Sequence, residues 1–208
     1  MGNIAGNMPS KKVIDVSLYN GVIDWETVAR YGDIDGVIIR IVQHPNGSYI
    51  EDSQFANNLA GCRKYGIPFG VYIYDYSNNT ADAFNEAELV TSILKKYNIS
   101  SEELTYPVYF DMERNVHTTQ QMTDNAAVFI NQMSNHGYEA NIYSYRSLLN
   151  EFLNSQYIWS KTSWLAAYTK TMGWENPHYH GKFGWQYTSS GVIPGINGSV
   201  DISCWFEI

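Results

Sequence analysis

The chain has 208 residues, 44% of them apolar, which suits one globular domain with a sizeable core. Its formal charge is −8, from 13 Lys and Arg against 21 Asp and Glu, and no basic stripe appears, so a phosphate backbone is excluded as a partner and no nucleic acid is expected. No apolar run reaches the roughly eighteen residues of a membrane span, and the opening "MGNIAGNMPSKK" has neither the apolar segment of a secretory signal nor the Ser or Thr that myristoylation needs at position 6.

Residues 1–11 read as a flexible leader and 12–208 as one domain. Eight strand-like runs follow in order: 12–17, 36–42, 68–77, 106–113, 140–145, 163–169, 183–189 and 200–206. A short helical stretch, "DWETVARYG", follows the first. After the second, "SQFANNLAGCRKYG" reads as a helix with Ser53 as cap, an apolar stripe of Phe55, Leu59 and Cys62, and Gly66 as a left-handed stop. After the third, Ala83, Ala87, Val90, Ile93, Leu94 and Tyr97 share one face at helical spacing, with Thr80 available as N-cap. After the fourth, Thr118 and Gln121 form a capping-box pair ahead of Met122, Ala126, Phe129, Ile130 and Met133.

Strands alternating with helices imply parallel strands joined by crossovers, and eight of them can close into a barrel. Beyond residue 160 the links shorten and fill with Gly, Pro and Asn, as in "TMGWENPHYHGK" and "SGVIPGINGS". The expected fold is therefore α/β: a truncated TIM-like barrel of five β/α units followed by three strands joined by loops. An open doubly wound sheet is the alternative, but it finds no glycine-rich phosphate loop here. Cys62 and Cys204 lie far apart, one in an expected helix and one in an expected strand, and read as buried thiols rather than a disulfide or zinc site.

The chemistry concentrates at strand ends. In "YPVYFDMERN" (106–115), alternation puts Tyr109, Asp111 and Glu113 on one side and Val108, Phe110 and Met112 on the other. The apolar set faces the helices, so both acids point to the barrel axis at the C-terminal end of the fourth strand, where barrel enzymes act. Asp15 on the first strand and Asp201 on the eighth are expected to join them, and Asp75 in "YIYDYS" is a further candidate. A lone strand-end Asp is ordinarily just solvated. Carboxylates that converge repel one another and raise the pKa of at least one, which makes a general acid. His178 and His180 in "NPHYHG" are two apart in a Pro- and Gly-bearing loop without a nearby acid, so no metal set and no cofactor is expected.

Aromatic residues make up 15% of the chain, including 17 Tyr and 6 Trp. One reading is that the rings fill strands. The other is that some stack on the apolar faces of sugars, with Tyr72, Tyr74, Tyr143, Tyr168, Trp185, Gln186 and Tyr187 as candidate substrate-binding residues.

The stretches "IDVSLYNGVIDW", "GVYIYDYS", "YPVYFDME" and "WQYTSSGVIPGINGSVDIS" together resemble glycoside hydrolase family 25, the N-acetylmuramidase lysozymes of bacteria and their phages. The resemblance runs over residues 12–208. It implies a (β/α)5(β)3 barrel cleaving the β-1,4 bond between N-acetylmuramic acid and N-acetylglucosamine, with peptidoglycan glycan strands as partner. A monomer working at the cell wall, secreted or released in phage lysis, is expected. Carried over by position, Glu113 is the general acid, Asp111 its partner near the anomeric carbon or acetamido group, and Asp15 with Asp201 the remaining acidic pair. Two stretches depart from the family pattern: "VQHPNGS" where many relatives have Thr-Glu-Gly, and "YIYDY" where a His-Phe pair is common. Both bear on subsites. A non-catalytic glycan-binding barrel and a glycanase for another N-acetylated polysaccharide are the rival readings. Strand spacing of roughly 6 to 7 Å between alternate residues leaves retention and inversion both open, since the two mechanisms go with carboxyl separations of about 5 to 5.5 and about 6.5 to 9.5 Å.

Overall fold

The computed structural model of the protein describes residues 10–207. Residues 1–9 of the expected leader lie outside them, and Lys11 already belongs to the first strand. Among the described residues the strands are β1 (Lys11–Val16), β2 (Gly36–Gln43), a two-residue β3 (Ile50–Glu51), β4 (Phe69–Tyr74), β5 (Leu104–Asp111), β6 (Ala140–Tyr145), β7 (Thr162–Ala166), β8 (Lys182–Gly191) and β9 (Val200–Glu207). The helices are α1 (Trp25–Tyr31), α2 (Phe55–Tyr65), α3 (Thr80–Lys96), α4 (Thr119–Asn135), α5 (Arg146–Glu151) and α6 (Gln156–Lys161).

Apart from β3, the strands close into an eight-stranded barrel through the β1–β2 pairing. β1, β2 and β4 to β8 run parallel, each pairing with its neighbour in that direction. β9 is antiparallel to both β8 and β1. The reason lies in the links. A parallel return needs a crossover of a dozen or more residues, whereas a short loop returns antiparallel, and only the turn "VIPGINGS" separates β8 from β9. The expected five β/α units and three terminal strands are present.

The helix ends correct three details. Asn79, not Thr80, caps α3, accepting from the Asp82 N–H at 3.0 Å; Thr80 is the first helical residue. Ser53 does not cap α2. The preceding acid, Asp52, accepts from the Gln54 N–H at 2.9 Å instead, and a carboxylate reaches that donor from inside the core. Thr118 does cap α4 through the Gln121 N–H, but Gln121 turns to Asn125 at 2.8 Å rather than back to the cap. Gly66 ends α2 at φ 65°, the left-handed conformation that glycine adopts without steric cost.

Alternation along each strand builds two cores. Outward residues such as Ile14, Ile39, Val71, Val108, Phe110 and Ile142 pack against the helices. Inward residues Val13, Ile38, Tyr106, Tyr109, Tyr143, Trp164, Ala166 and Trp205 form a second cluster inside the barrel. Trp164 lies 5.0 Å from Tyr109 and 5.6 Å from Trp205, ring centre to ring centre. Gly184 makes room for this: a Cβ there would fall 2.5 Å from the Trp205 ring. The aromatic plug fills the barrel interior below a polar layer. Cys62 is buried, Cys204 only partly so, and both are free thiols.

Candidate active site

Above the plug, the C-terminal ends of the parallel strands open into a cavity of about 550 Å³. Asp15, Asp111, Glu113 and Asp201 all line it, as do Tyr72, Tyr74, Tyr143 and Gln186. β5 ends at Asp111, yet the chain stays extended for one more residue. The Met112 N–H donates to the Tyr143 carbonyl at 2.9 Å, and the Ser144 hydroxyl donates to the Met112 carbonyl at 2.5 Å. Met112 is thereby sunk into the outer core, and Glu113 projects into the cavity on the same side as Asp111.

Asp15 and Asp201 meet from the other wall as direct partners in the β1–β9 register. Burial and the Asp201 charge push the Asp15 carboxyl well above the usual carboxylate range, although the Gln186 amide donates to it at 2.9 Å. Asp201 is likewise raised by burial, and its interaction with Asp15 offsets part of that rise. Gln186 is oriented in turn by the hydroxyls of Tyr143 and Tyr168, each donating to its Oε1 at 2.8 Å.

Asp111 is raised strongly by burial and then by the charges of Glu113, Asp15 and Asp75, with Arg40 opposing. Its Oδ1 is buried and accepts no hydrogen bond from the protein. Glu113 is raised mainly by burial, opposed by hydrogen bonds from Tyr145 and Tyr143. Burial thus raises all four carboxyls, and tyrosine hydroxyls oppose the rise at Glu113 without cancelling it. A carboxyl raised in this way holds its proton to higher pH than an ordinary acid and is suited to donate it.

The other expected residues are dispersed. Asp75 is buried behind the wall, its carboxylate taken by the Ser77 N–H and hydroxyl at 2.8 and 2.5 Å, while its own N–H donates to the Asp111 carbonyl. Tyr168 is half exposed and reaches the site through Gln186. Trp185 points to the outer face, its indole N–H on the Ala167 carbonyl, because alternation sends it opposite to Gln186. A bulge after Gln186 breaks the register, and Tyr187 lines a separate groove with Lys11, Lys12 and Cys204. Sequence reasoning missed Ser17, Tyr19, Asn20, Arg40, Tyr76, Tyr145, Trp164 and Ser199 in the cavity wall. Alternation from Ile38 to Arg40, and from Tyr143 to Tyr145, was the available signal; the loop residues left none. His178 and His180 are exposed, and among the described residues no group of three or more His, Cys, Asp or Glu is placed to hold a metal ion. No described helix is long and apolar enough to cross a membrane.

The chain is similar to the autolytic lysozyme of Clostridium acetobutylicum, 26% identical over 198 residues that cover 94% of this chain and 56% of that protein. The modular autolysin LytC of Streptococcus pneumoniae superposes with a TM-score of 0.89 at 38% identity, covering 97% of this chain and 48% of LytC. LytC has also been solved in complex with a synthetic peptidoglycan ligand, in a structure that superposes at 0.88. The bacterial lysozyme of Streptomyces coelicolor, 20% identical, shares the fold with a TM-score of 0.77 over 95% of this chain and 92% of its own. The chain spans about half the length of the autolytic lysozyme and of LytC. The sequence profile of "Glycosyl hydrolases family 25" matches residues 14–196, and the chain belongs to that family.

Proposed function

We propose that this chain is a lysozyme that hydrolyses peptidoglycan at the β-1,4 bond between N-acetylmuramic acid and N-acetylglucosamine. The observation that carries the reading is the convergence of Asp15, Asp111, Glu113 and Asp201 on one cavity at the strand ends of a family 25 barrel. In this reading Glu113 protonates the leaving glycosidic oxygen as the C1–O bond breaks. It is only partly buried, whereas Asp15 and Asp111 are buried, which suits a group that must reach substrate. Asp111, buried with a free Oδ1, holds the N–H of the substrate's 2-acetamido group, so that its carbonyl oxygen attacks the anomeric carbon. Water then opens the oxazoline with Glu113 as base, and configuration is retained. Asp15 and Asp201 share a proton and keep the field around Glu113 and Gln186 fixed. Peptidoglycan strands are the partner, the cell wall is the place of action, and the monomer is the working unit.

Digestion of purified peptidoglycan followed by reducing-end analysis tests this. New muramic acid reducing ends are expected; new glucosamine ends mean a different glycanase. Sedimentation with walls without release of any fragment means a glycan-binding barrel.

A further inference from the structure

One wall of the cavity carries a charge whose role the reaction above leaves open beyond its pull on Asp111. Arg40, on β2, is the one cationic residue among the described residues that line the cavity. Its Nε donates to Asp52 Oδ2 at 2.7 Å, and its guanidinium lies 4.8 Å from the centre of the Tyr19 ring. Asp52 is engaged elsewhere as well: its oxygens also accept the Leu18 and Gln54 N–H groups, at 3.1 and 2.9 Å. Arg40 Nη2 is buried and finds no acceptor in the protein.

A second guanidinium is close by. Arg114, just past Glu113, sits 5.8 Å from the centre of the Tyr76 ring, and Tyr76 lines the cavity next to Tyr74. Both arginines act electrostatically on the Tyr76 hydroxyl. Two of the five arginines of an acidic chain therefore bear electrostatically on one tyrosine at the cavity wall. A guanidinium offers five N–H donors in a fixed fork matched to a carboxylate. Asp52 occupies the Nε–H of Arg40 and, with the Tyr19 ring, holds its remaining donors in place before any ligand arrives, which lowers the ordering cost of binding.

We infer that Arg40, with Arg114 acting on the same wall through Tyr76, forms an anion-binding subsite that takes a carboxylate of the glycan strand. This rests on the peptidoglycan reading and narrows it. Two carboxylates share the chemistry: the lactyl group of a muramic acid free of peptide, and the acids of a peptide stem. The subsite makes the enzyme selective for charged muramyl strands over neutral ones of the same length.

The test compares kcat/KM on four soluble substrates. Glycan strands stripped of peptide by an amidase bear free lactyl carboxylates, and uncrosslinked peptide-bearing strands bear stem carboxylates only. Each is also used after carbodiimide conversion of its carboxyls to neutral amides. Wild type is expected to favour the charged form over its amide by roughly tenfold or more, the size of one charge-assisted hydrogen bond. Preference on stripped strands identifies the lactyl source, and preference on peptide-bearing strands the stem. Arg40→Gln should bring the ratio to about one, and Arg114→Gln should lower it. A wild-type ratio of one, or an Arg40→Gln enzyme equally slowed on both forms with the ratio intact, overturns the inference and leaves Arg40 a structural partner of Asp52. Should Arg40→Gln not fold, Arg40→Lys keeps a cation beside Asp52 while removing the fork, and a ratio unchanged in both Arg40→Lys and Arg114→Gln is likewise fatal. If wild type cleaves none of the strands, the hydrolase reading fails, and the same ratio measured as binding by calorimetry still decides the subsite.

Discussion

Asp15 and Asp201 face each other directly across the β1–β9 seam, the one place in the barrel where an antiparallel strand meets the first parallel one. A cross-strand pair of like charges is destabilising, and burial raises both carboxyls, with the Asp201 charge raising Asp15 further. Because the folded state holds a proton at a pH where the unfolded chain has lost it, the pair's contribution to stability is complete at acid pH. It declines as pH rises above the ordinary carboxylate range.

Asp15→Asn should therefore raise Tm at neutral pH more than at pH 4, and lower activity at the same time, because the amide cannot share a proton with Asp201. Thermal melts across pH with a parallel turnover assay check this. A Tm difference that grows toward acid pH would contradict the shared proton.

Glu113→Gln keeps the size of the side chain and a carbonyl oxygen for the Tyr145 hydroxyl, but has no proton to donate. The fold and strand binding should persist while kcat falls by about 10² to 10⁴. Asp111→Asn should also be severe, and Asp15→Asn and Asp201→Asn milder. Near-native turnover by Glu113→Gln would remove it from the mechanism.

Asp111→Ala separates two chemistries. Were Asp111 a nucleophile, its removal would open a hole from which azide could attack the anomeric carbon and restore turnover. With the substrate's acetamido oxygen as attacker, azide should rescue little, and wild-type products should keep the β configuration when followed by proton NMR before mutarotation. Initial α product would point instead to a water activated by Asp111.

Glu86 offers a prediction away from the cavity. It reaches from α3 into the core, accepts the Tyr76 N–H at 3.0 Å, and is pushed by burial and the neighbouring Asp75 charge up to about 8. The unfolded chain loses this proton near its ordinary pKa, about 4.3, and the folded state keeps it, so stability falls as pH rises between those values. Glu86→Gln retains the acceptor for Tyr76 and has no proton to lose. Its Tm should match wild type near pH 4 and exceed it at pH 8; equal melting at both would show that Glu86 ionises normally.

The amino-acid pattern alone determined the eight barrel strands, the helices after the first four, the point after residue 160 where helices cease, and the face shared by Asp111 and Glu113; it left β3, α5 and α6 unread. Those features rest on local periodicity, which a chain carries in its own order. Helix caps were less legible, since Asn79 and Thr80, or Asp52 and Ser53, offer equivalent oxygens one residue apart and only the packed backbone selects between them. The cavity wall was legible where it lay on strands and not where it came from loops. Arg40 and Tyr145 follow from alternation, whereas Ser17, Tyr19, Asn20 and Ser199 are brought in by closure between the two ends of the chain. Alternation sends Trp185 away from the face of Gln186, whereas strand pairing decided that Tyr187 leaves the site. The bulge after Gln186 arises from the β8–β9 register, a relation between distant residues that no single stretch of sequence contains.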